Sequence, residues 1–365
     1  MVSRIIQAVA GAGKTYAITH DMLDLSKKYL FITFTNGNAK NIRDGLTDFG
    51  FPIDQYQVMT FSKFVIDWLV KPFLPIMEPG LVMGFSGGFT TQDPQPAYKN
   101  GGYNRAYIKK TEVGHYLDMN GNFYLTRLSG FATAQNNDYW KAVWRRVSKF
   151  VDEIFIDEYQ DLTGKDFDIL TKMAKQRDVD VTLVGDVYQS NVSRSMKLDK
   201  PKLDFKGTSI EDGLHNLFGR RVIVDSETMK SSRRISPQAA ALVSSKLDIP
   251  IESMGIASGK VTMLTTVDEI IKELETNPMV LIWDRDIGIP DFSQYRTWSY
   301  SKGDTFGRVM VVLTKKTDDI LEESFIKPDN MVRNKLYVAL TRSSGELYLV
   351  QSSAWKKVIK HLNDE

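Results

Sequence analysis

Ala8-Val9-Ala10-Gly11-Ala12-Gly13-Lys14-Thr15 is the stretch on which the reading of this chain turns. The apolar run Arg4 to Val9 leads into it, and Tyr16, Ile18, Met22 and Leu25 recur after it at helical spacing, which predicts strand, loop, helix. Glycines let backbone N–H groups turn toward an anion, a lysine there reaches the β- and γ-oxygens of a triphosphate, and a threonine hydroxyl can ligate Mg2+. The helix that follows adds the positive end of its dipole. Ala10, Gly11, Ala12, Gly13, Lys14 and Thr15 are thus the candidate nucleotide-binding residues. The plainer alternative is a glycine-rich turn with an ordinary lysine.

Working outward, Tyr29 to Phe34 reads as a second strand, followed by a helical stretch from Ala39 to Leu46. Gln57 to Thr60 reads as a third strand, before a helix carrying Phe64, Ile66, Trp68 and Leu69. This alternation is that of a parallel sheet. Between about 72 and 135 helical periodicity disappears, Gly, Pro, Asn and Tyr cluster, and β-like pieces such as Asn122 to Arg127 remain, which we read as a β-rich insertion. The pattern resumes with a helix around Tyr139 to Phe150 and strands at Glu153 to Ile156 and Val181 to Val184. A second unit is expected to begin near Arg221-Val222-Ile223-Val224, with further strands at 260–265, 279–283, 308–313 and 346–350. In its closing helix Trp355, Val358, Ile359 and Leu362 share one face.

The 365 residues suit two or three domains. A hydrophobic share of 42% and a charged share of 25% are those of a globular protein. With a net charge of +2, any polyanion must be met by local basic patches. Zero cysteines exclude disulfides and thiolate chemistry, and the four scattered histidines offer no ligand spacing, so a metal would be held by oxygen. The start lacks a secretory pattern, and no apolar run approaches the ~18 residues of a membrane span. An intracellular, cytoplasmic location without membrane contact is expected.

Nucleotide binding becomes hydrolysis only with further groups. In Ile154-Phe155-Ile156-Asp157-Glu158-Tyr159-Gln160-Asp161 a strand ends in two acids, placing Asp157 beside a metal and letting Glu158 orient or deprotonate a water. Alone this would read as a solvated acidic turn. Parallel sheets bind ligands beyond the carboxyl ends of their strands, so this end and the Lys14 loop should converge. A third strand end, Leu183 to Ser190, presents Gln189 to the γ-phosphate. Positive charge on the developing oxyanions could come from Arg233 and Arg342, each of which alone would be a surface arginine.

Taken in order, these segments resemble superfamily 1 helicases of the UvrD/Rep type, over both ends of the chain. Thr33-Phe34-Thr35-Asn36 with Ala39 and Thr60-Phe61-Ser62 resemble that family's strand-contacting motifs, and Tyr337-Val338-Ala339-Leu340-Thr341-Arg342 is the most specific match. The resemblance implies an α/β fold of two RecA-like P-loop domains with parallel sheets and a β-rich insertion in the first. The first domain would comprise 1–70 and 136–220, the insertion 71–135 and the second domain 221–365. It implies ATP and Mg2+ as ligands, with Thr15 and Asp157 at the metal and Lys14, Glu158, Gln189, Arg233 and Arg342 as catalytic residues. Ser301 to Phe306 would couple nucleotide to strand, with Gly303 at the nucleotide. Phe34, Asn36, Thr60, Phe61 and Arg194 would contact nucleic acid; for Phe34 and Phe61, core packing is the alternative.

Departures accompany the match. Seven residues precede Ala8, so the adenine-reading segment usual in the family is expected to be lacking. Ser232 stands where an aromatic usually precedes the arginine, Thr305 where a glutamate is usual, and Arg194 is left to replace a base-stacking aromatic. The short stretch between Arg233 and Lys302 leaves no room for the large accessory insertion of UvrD. The leading expectation is an ATP-dependent helicase and translocase on single-stranded DNA, a monomeric motor working beside replication or recombination proteins in a bacterial or phage setting. RNA as substrate and a nucleotide-gated remodelling factor without unwinding are the alternatives. Tyr98, Lys99, Tyr103, Arg105, Tyr107, Lys109 and Lys110 give the insertion a basic and aromatic character suited to clamping a strand.

Overall fold

Five of the six strands in the first sheet come from runs apolar enough to be buried on both faces, as parallel strands must be. The computed structural model describes residues 2–190, 203, 205 and 207–364. Its first sheet comprises β1 (Ser3–Ala8), β2 (Tyr29–Thr33), β3 (Tyr56–Thr60), β4 (Glu153–Asp157), β5 (Asp180–Gly185) and β6 (Ile223–Met229), in the order β6-β1-β5-β4-β2-β3. All its pairings are parallel. Phe31 of β2 and Phe155 of β4 stack 5.4 Å apart on the face covered by α1 (Asn36–Phe49), through its buried Ile42 and Leu46. The opposite face carries α2 (Leu125–Thr133), α3 (Asn137–Val147), α4 (Gly164–Lys175) and α5 (Ile210–Phe218).

The second sheet holds β7 (Val261–Leu264), β8 (Met279–Ile282), β9 (Tyr295–Thr297), β10 (Phe306–Val312) and β11 (Ser343–Val350), in the order β7-β11-β10-β8-β9 and again parallel throughout. Around it lie α6 (Pro237–Leu247), α7 (Val267–Glu275), α8 (Asn330–Leu340) and α9 (Ser352–Asp364). Trp355 and Val358 of α9 are buried, as the one-face pattern required. The mixed α/β architecture with two parallel sheets is that of paired RecA-like helicase domains.

Two local expectations change. Ile223–Met229, expected to open the second unit, pairs with β1 and belongs to the first sheet. Its run of Asp225, Ser226, Glu227 and Thr228 is polar because it is an edge strand, which leaves one side to solvent. Leu125 to Arg127, read as β-like, start α2, whose Leu128, Phe131 and Ala132 are buried in the core shared with α4. Tertiary burial there overrides local propensity. The region before α2 has short helical turns and two two-stranded pieces, Phe89–Thr90 with Phe123–Tyr124 and Tyr98–Lys99 with Gly102–Tyr103. Among the described residues no helix is long and apolar enough to cross a membrane.

Candidate active site

β1, β5 and β4 are adjacent, so the loops at their carboxyl ends come together by topology alone. The loop after β1 turns at Gly11 (φ 76°) and Gly13 (φ 87°), both in the left-handed region that disfavours side chains. A Cβ on Gly11 would lie 2.6 Å from Ser232 Oγ and 2.7 Å from Arg234 Cβ, and the Arg233 N–H donates to Gly11 O at 2.9 Å. The glycine therefore serves backbone approach twice: toward an anion on one side, and against the 231–234 segment on the other.

A cavity of about 720 Å3 opens at this junction. Lys14, Glu158, Gln189, Arg233 and Arg342 all line it, as do Thr15, Asp157 and Gly303. Ala10, Gly11 and Gly13 join them, whereas Ala12 packs half-buried against the core. Glu158 has a left-handed backbone (φ 57°), a costly conformation for a residue with a side chain. That turn aims its carboxylate between two cations, Lys14 Nζ at 3.4 Å and Lys302 Nζ at 3.3 Å. Gln160 Nε2 donates to the same carboxylate. Burial would push the Glu158 carboxyl up, but Lys14 and Lys302 outweigh it and hold the group down at about 2. Lys302 also binds Asp161 at 2.6 Å, and these acids keep its ammonium charged although burial opposes it.

Asp157 differs. It is 4% exposed, and its Oδ1 has no hydrogen-bond donor among the described residues. Burial and the neighbouring Glu158 push its carboxyl up. A buried carboxylate oxygen without a partner suits a hard divalent cation, and the Thr15 hydroxyl shares the cavity. The residues present fit Mg2+, with the remaining positions open to phosphate oxygens and water.

The loops are cross-braced by side chains for which no role was assigned from sequence. Gln7 accepts from Val187 N at 3.0 Å and Gln160 accepts from Asp186 N at 3.0 Å. Asp186, fully buried, takes donors from Gln189 Nε2 and from Tyr337 OH, both at 2.9 Å. The same Tyr337 hydroxyl accepts from Ala10 N at 2.8 Å. One oxygen on α8 thus links the phosphate-binding loop to the turn that carries Gln189. Tyr337→Phe should leave the Ala10 N–H unsatisfied and remove a donor from a buried carboxylate, at about 1–3 kcal/mol of stability. Urea unfolding measures that loss, and an unchanged midpoint would remove the link from the account.

Arg342 is 1% exposed, with Nε donating to Val338 O at 2.8 Å and NH1 to Asp304 O at 3.3 Å. Burial and the nearby Arg234 disfavour its charge. Arg234 itself lines the cavity and donates to Thr341 O at 3.4 Å. The Arg233-Arg234 doublet was visible in the sequence, but only packing shows that both members face the cleft. Lys302 likewise lay inside a recognised segment without an assigned ion pair.

The expected nucleic-acid residues are not brought together as a group. Phe34, 36% exposed, lines the nucleotide cavity. Phe61 is 3% exposed and packs against Phe64 in the core, so its ring cannot serve as a base platform. Thr60 caps the following helix by accepting from Lys63 N, and Asn36 is exposed at the start of α1. Arg194 lies outside the described residues. Tyr16 and Tyr300, both exposed, add rings to the cavity wall, and the Arg233 guanidinium lies 5.8 Å from the Tyr16 ring centre. They supply aromatic surface where Ser232 supplies none.

Two family models match the chain: an AAA domain over residues 3–194 and the viral superfamily 1 RNA helicase core domain over residues 120–351. Among solved structures, arterivirus nonstructural protein 10, a helicase, is 16% identical (TM-score 0.49), covering 98% of this chain and 61% of its own. Its complex with DNA gives 14% identity and a TM-score of 0.49, over 98% of this chain and 63% of that one. For the PRRSV helicase the values are 14% and 0.43, over 96% and 52%. The chain thus spans about three fifths or less of these proteins' length. No curated protein matches it by sequence.

Proposed function

The chain belongs to the superfamily 1 helicases, and from that premise we propose that it is an ATP-driven motor that moves on single-stranded nucleic acid and unwinds duplex. The observation that carries the reading is the single cavity faced by Lys14, Glu158 and Gln189 from the first sheet's loops and by Lys302 and Arg342 from the second's. We place the domain boundary after β6 rather than at 221.

In this reading Lys14 and the N–H groups of the loop hold the triphosphate, and Glu158 polarises the attacking water. Mg2+, held by Asp157 and Thr15, would bridge phosphate oxygens and offset their charge. Gln189 senses the γ-phosphate, and Arg233 and Arg342 stabilise the charge that develops on it. Because Arg342 belongs to the second sheet, its engagement changes the relation of the two sheets, which is how hydrolysis would become movement. Within the superfamily, the Tyr337 to Arg342 segment favours a UvrD/Rep-like motor on DNA. The match to a viral RNA helicase core favours the second reading, an RNA strand. A single-copy intracellular motor accompanying nucleic-acid replication accords with both.

Tailed duplexes of DNA and of RNA, each with only a 3′ or only a 5′ overhang, test the proposal beside strand-stimulated ATP hydrolysis. Displacement on one polarity with stimulated turnover supports it. Stimulation without displacement moves the reading to a remodelling factor, and no stimulation by either nucleic acid overturns it.

We assign strand clamping to the hairpin Tyr98–Lys99 and Gly102–Tyr103, whose tyrosines are 72% and 57% exposed with rings 6.1 Å apart. Exposed rings beside cations suit sequence-tolerant strand binding. Changing Lys99, Arg105, Lys109 and Lys110 to Ala should weaken strand binding about tenfold or more and flatten its salt dependence. Unmoved affinity and slope would leave the hairpin a solvated cover.

A further inference from the structure

At the opposite end of the first sheet, where β1 and β6 begin and α4 and α5 end, lies a second cavity of about 980 Å3. Lys175, Arg177, Arg220 and Arg221 line it, all four exposed, and no acidic residue is among its lining. None of the four forms an ion pair with another described residue. The nearest carboxylate on the rim strand, Asp180, is already engaged, accepting from Val2 N at 2.7 Å and lying 3.8 Å from Lys27. In a chain whose net charge is only +2, four unpaired cations around one concavity are a local excess.

Helix ends explain only part of this cluster. Lys175 sits in the last turn of α4, where a cation offsets the negative end of the helix dipole. Arg177, Arg220 and Arg221 lie beyond the helices, and that effect fades within the last turn. The cavity is far larger than one phosphate, and its cations come from two separate segments, 175–177 and 220–221. Exposed Val2 and Ile223 stand beside them, offering apolar contact to sugar or base.

We propose that this cleft is a second nucleic-acid contact, which takes the phosphodiester backbone of the molecule the motor engages. The inference rests on the proposed function. β1 has six residues at about 3.3 Å each, so the cleft lies roughly 20 Å from the phosphate-binding loop. All its elements belong to the first sheet, so the contact persists through the nucleotide cycle and tethers the nucleic acid while the sheets open and close.

The test compares wild type with R177A/R220A/R221A on a strand long enough to reach both ends of the sheet, titrating salt. The slope of log affinity against log salt should become shallower by about 2, at roughly 0.7–0.9 per phosphate neutralised. ATP hydrolysis without strand should not change, because none of these arginines touches the nucleotide cavity. R177K/R220K/R221K should keep the wild-type slope, which a purely structural role for the guanidinium groups would not. Unchanged affinity and slope in the alanine variant overturn the proposal. It also falls if inorganic pyrophosphate binds the wild type in a way that requires these arginines while strand binding does not. If the wild type binds no strand at all, the proposed function fails first; if it binds and the variant equals it, only this inference fails.

Discussion

Glu158→Gln should bind ATP at least as tightly as the wild type yet turn it over about 10²–10⁴-fold more slowly, the contribution of a positioned general base. Lys14 and Lys302 share one carboxylate, at 3.4 and 3.3 Å. Replacing it with an amide of the same shape removes a negative charge from the wall of the cavity. Lys302 keeps Asp161, whereas Lys14 is released toward the phosphates. Affinity is thus expected to hold or rise while the water loses its acceptor. Phosphate release and binding of a fluorescent nucleotide read the two effects separately. An unchanged turnover rate would remove Glu158 from the chemistry, and a loss of binding with an intact fold would mean that its role is to position Lys14.

Arg342→Ala is the second large effect, expected at about 10³–10⁵-fold in turnover if this guanidinium meets the transferring phosphoryl group. The side chain also supports structure. It donates to Val338 O, Ser301 O, Asp304 O and Thr341 Oγ1, so truncation leaves buried acceptors bare. Each lost partner costs about 1–3 kcal/mol when nothing replaces it. Arg342→Lys separates the two roles. It preserves a charge but not the planar fork, and should recover part of the stability while turnover stays low. A folded Arg342→Ala variant that hydrolyses ATP at the wild-type rate would sink the assignment.

Much of the cleft was legible along the chain because its key groups sit at the carboxyl ends of strands, where an apolar run stops and polar residues begin. Lys14, Asp157, Glu158 and Gln189 follow β1, β4 and β5, and any parallel order that keeps those strands adjacent brings them together. Phe61 shows the opposite case. It also follows a strand end, but the helix it opens buries its ring beside Phe64, and nothing in local spacing tells a platform from a core residue. Ile223–Met229 was assigned to the wrong sheet for a related reason. A strand's neighbours are fixed by long-range pairing, and a half-polar strand reads the same at the edge of either sheet.

The sequence by itself determined the ordered set of nucleotide-cleft elements, from the Ala8 to Thr15 loop to Arg342, because each is a local device whose chemistry is written in consecutive residues. Tertiary structure alone decided what those devices touch. It set Glu158 between Lys14 and Lys302, hung the Ala10 N–H and the Asp186 carboxylate on one Tyr337 hydroxyl, and gathered Lys175, Arg177, Arg220 and Arg221 around one cavity. The partners in these contacts lie far apart along the chain. Charge pairing and burial depend on distance in space, and that distance is fixed only when the two sheets and their helices pack.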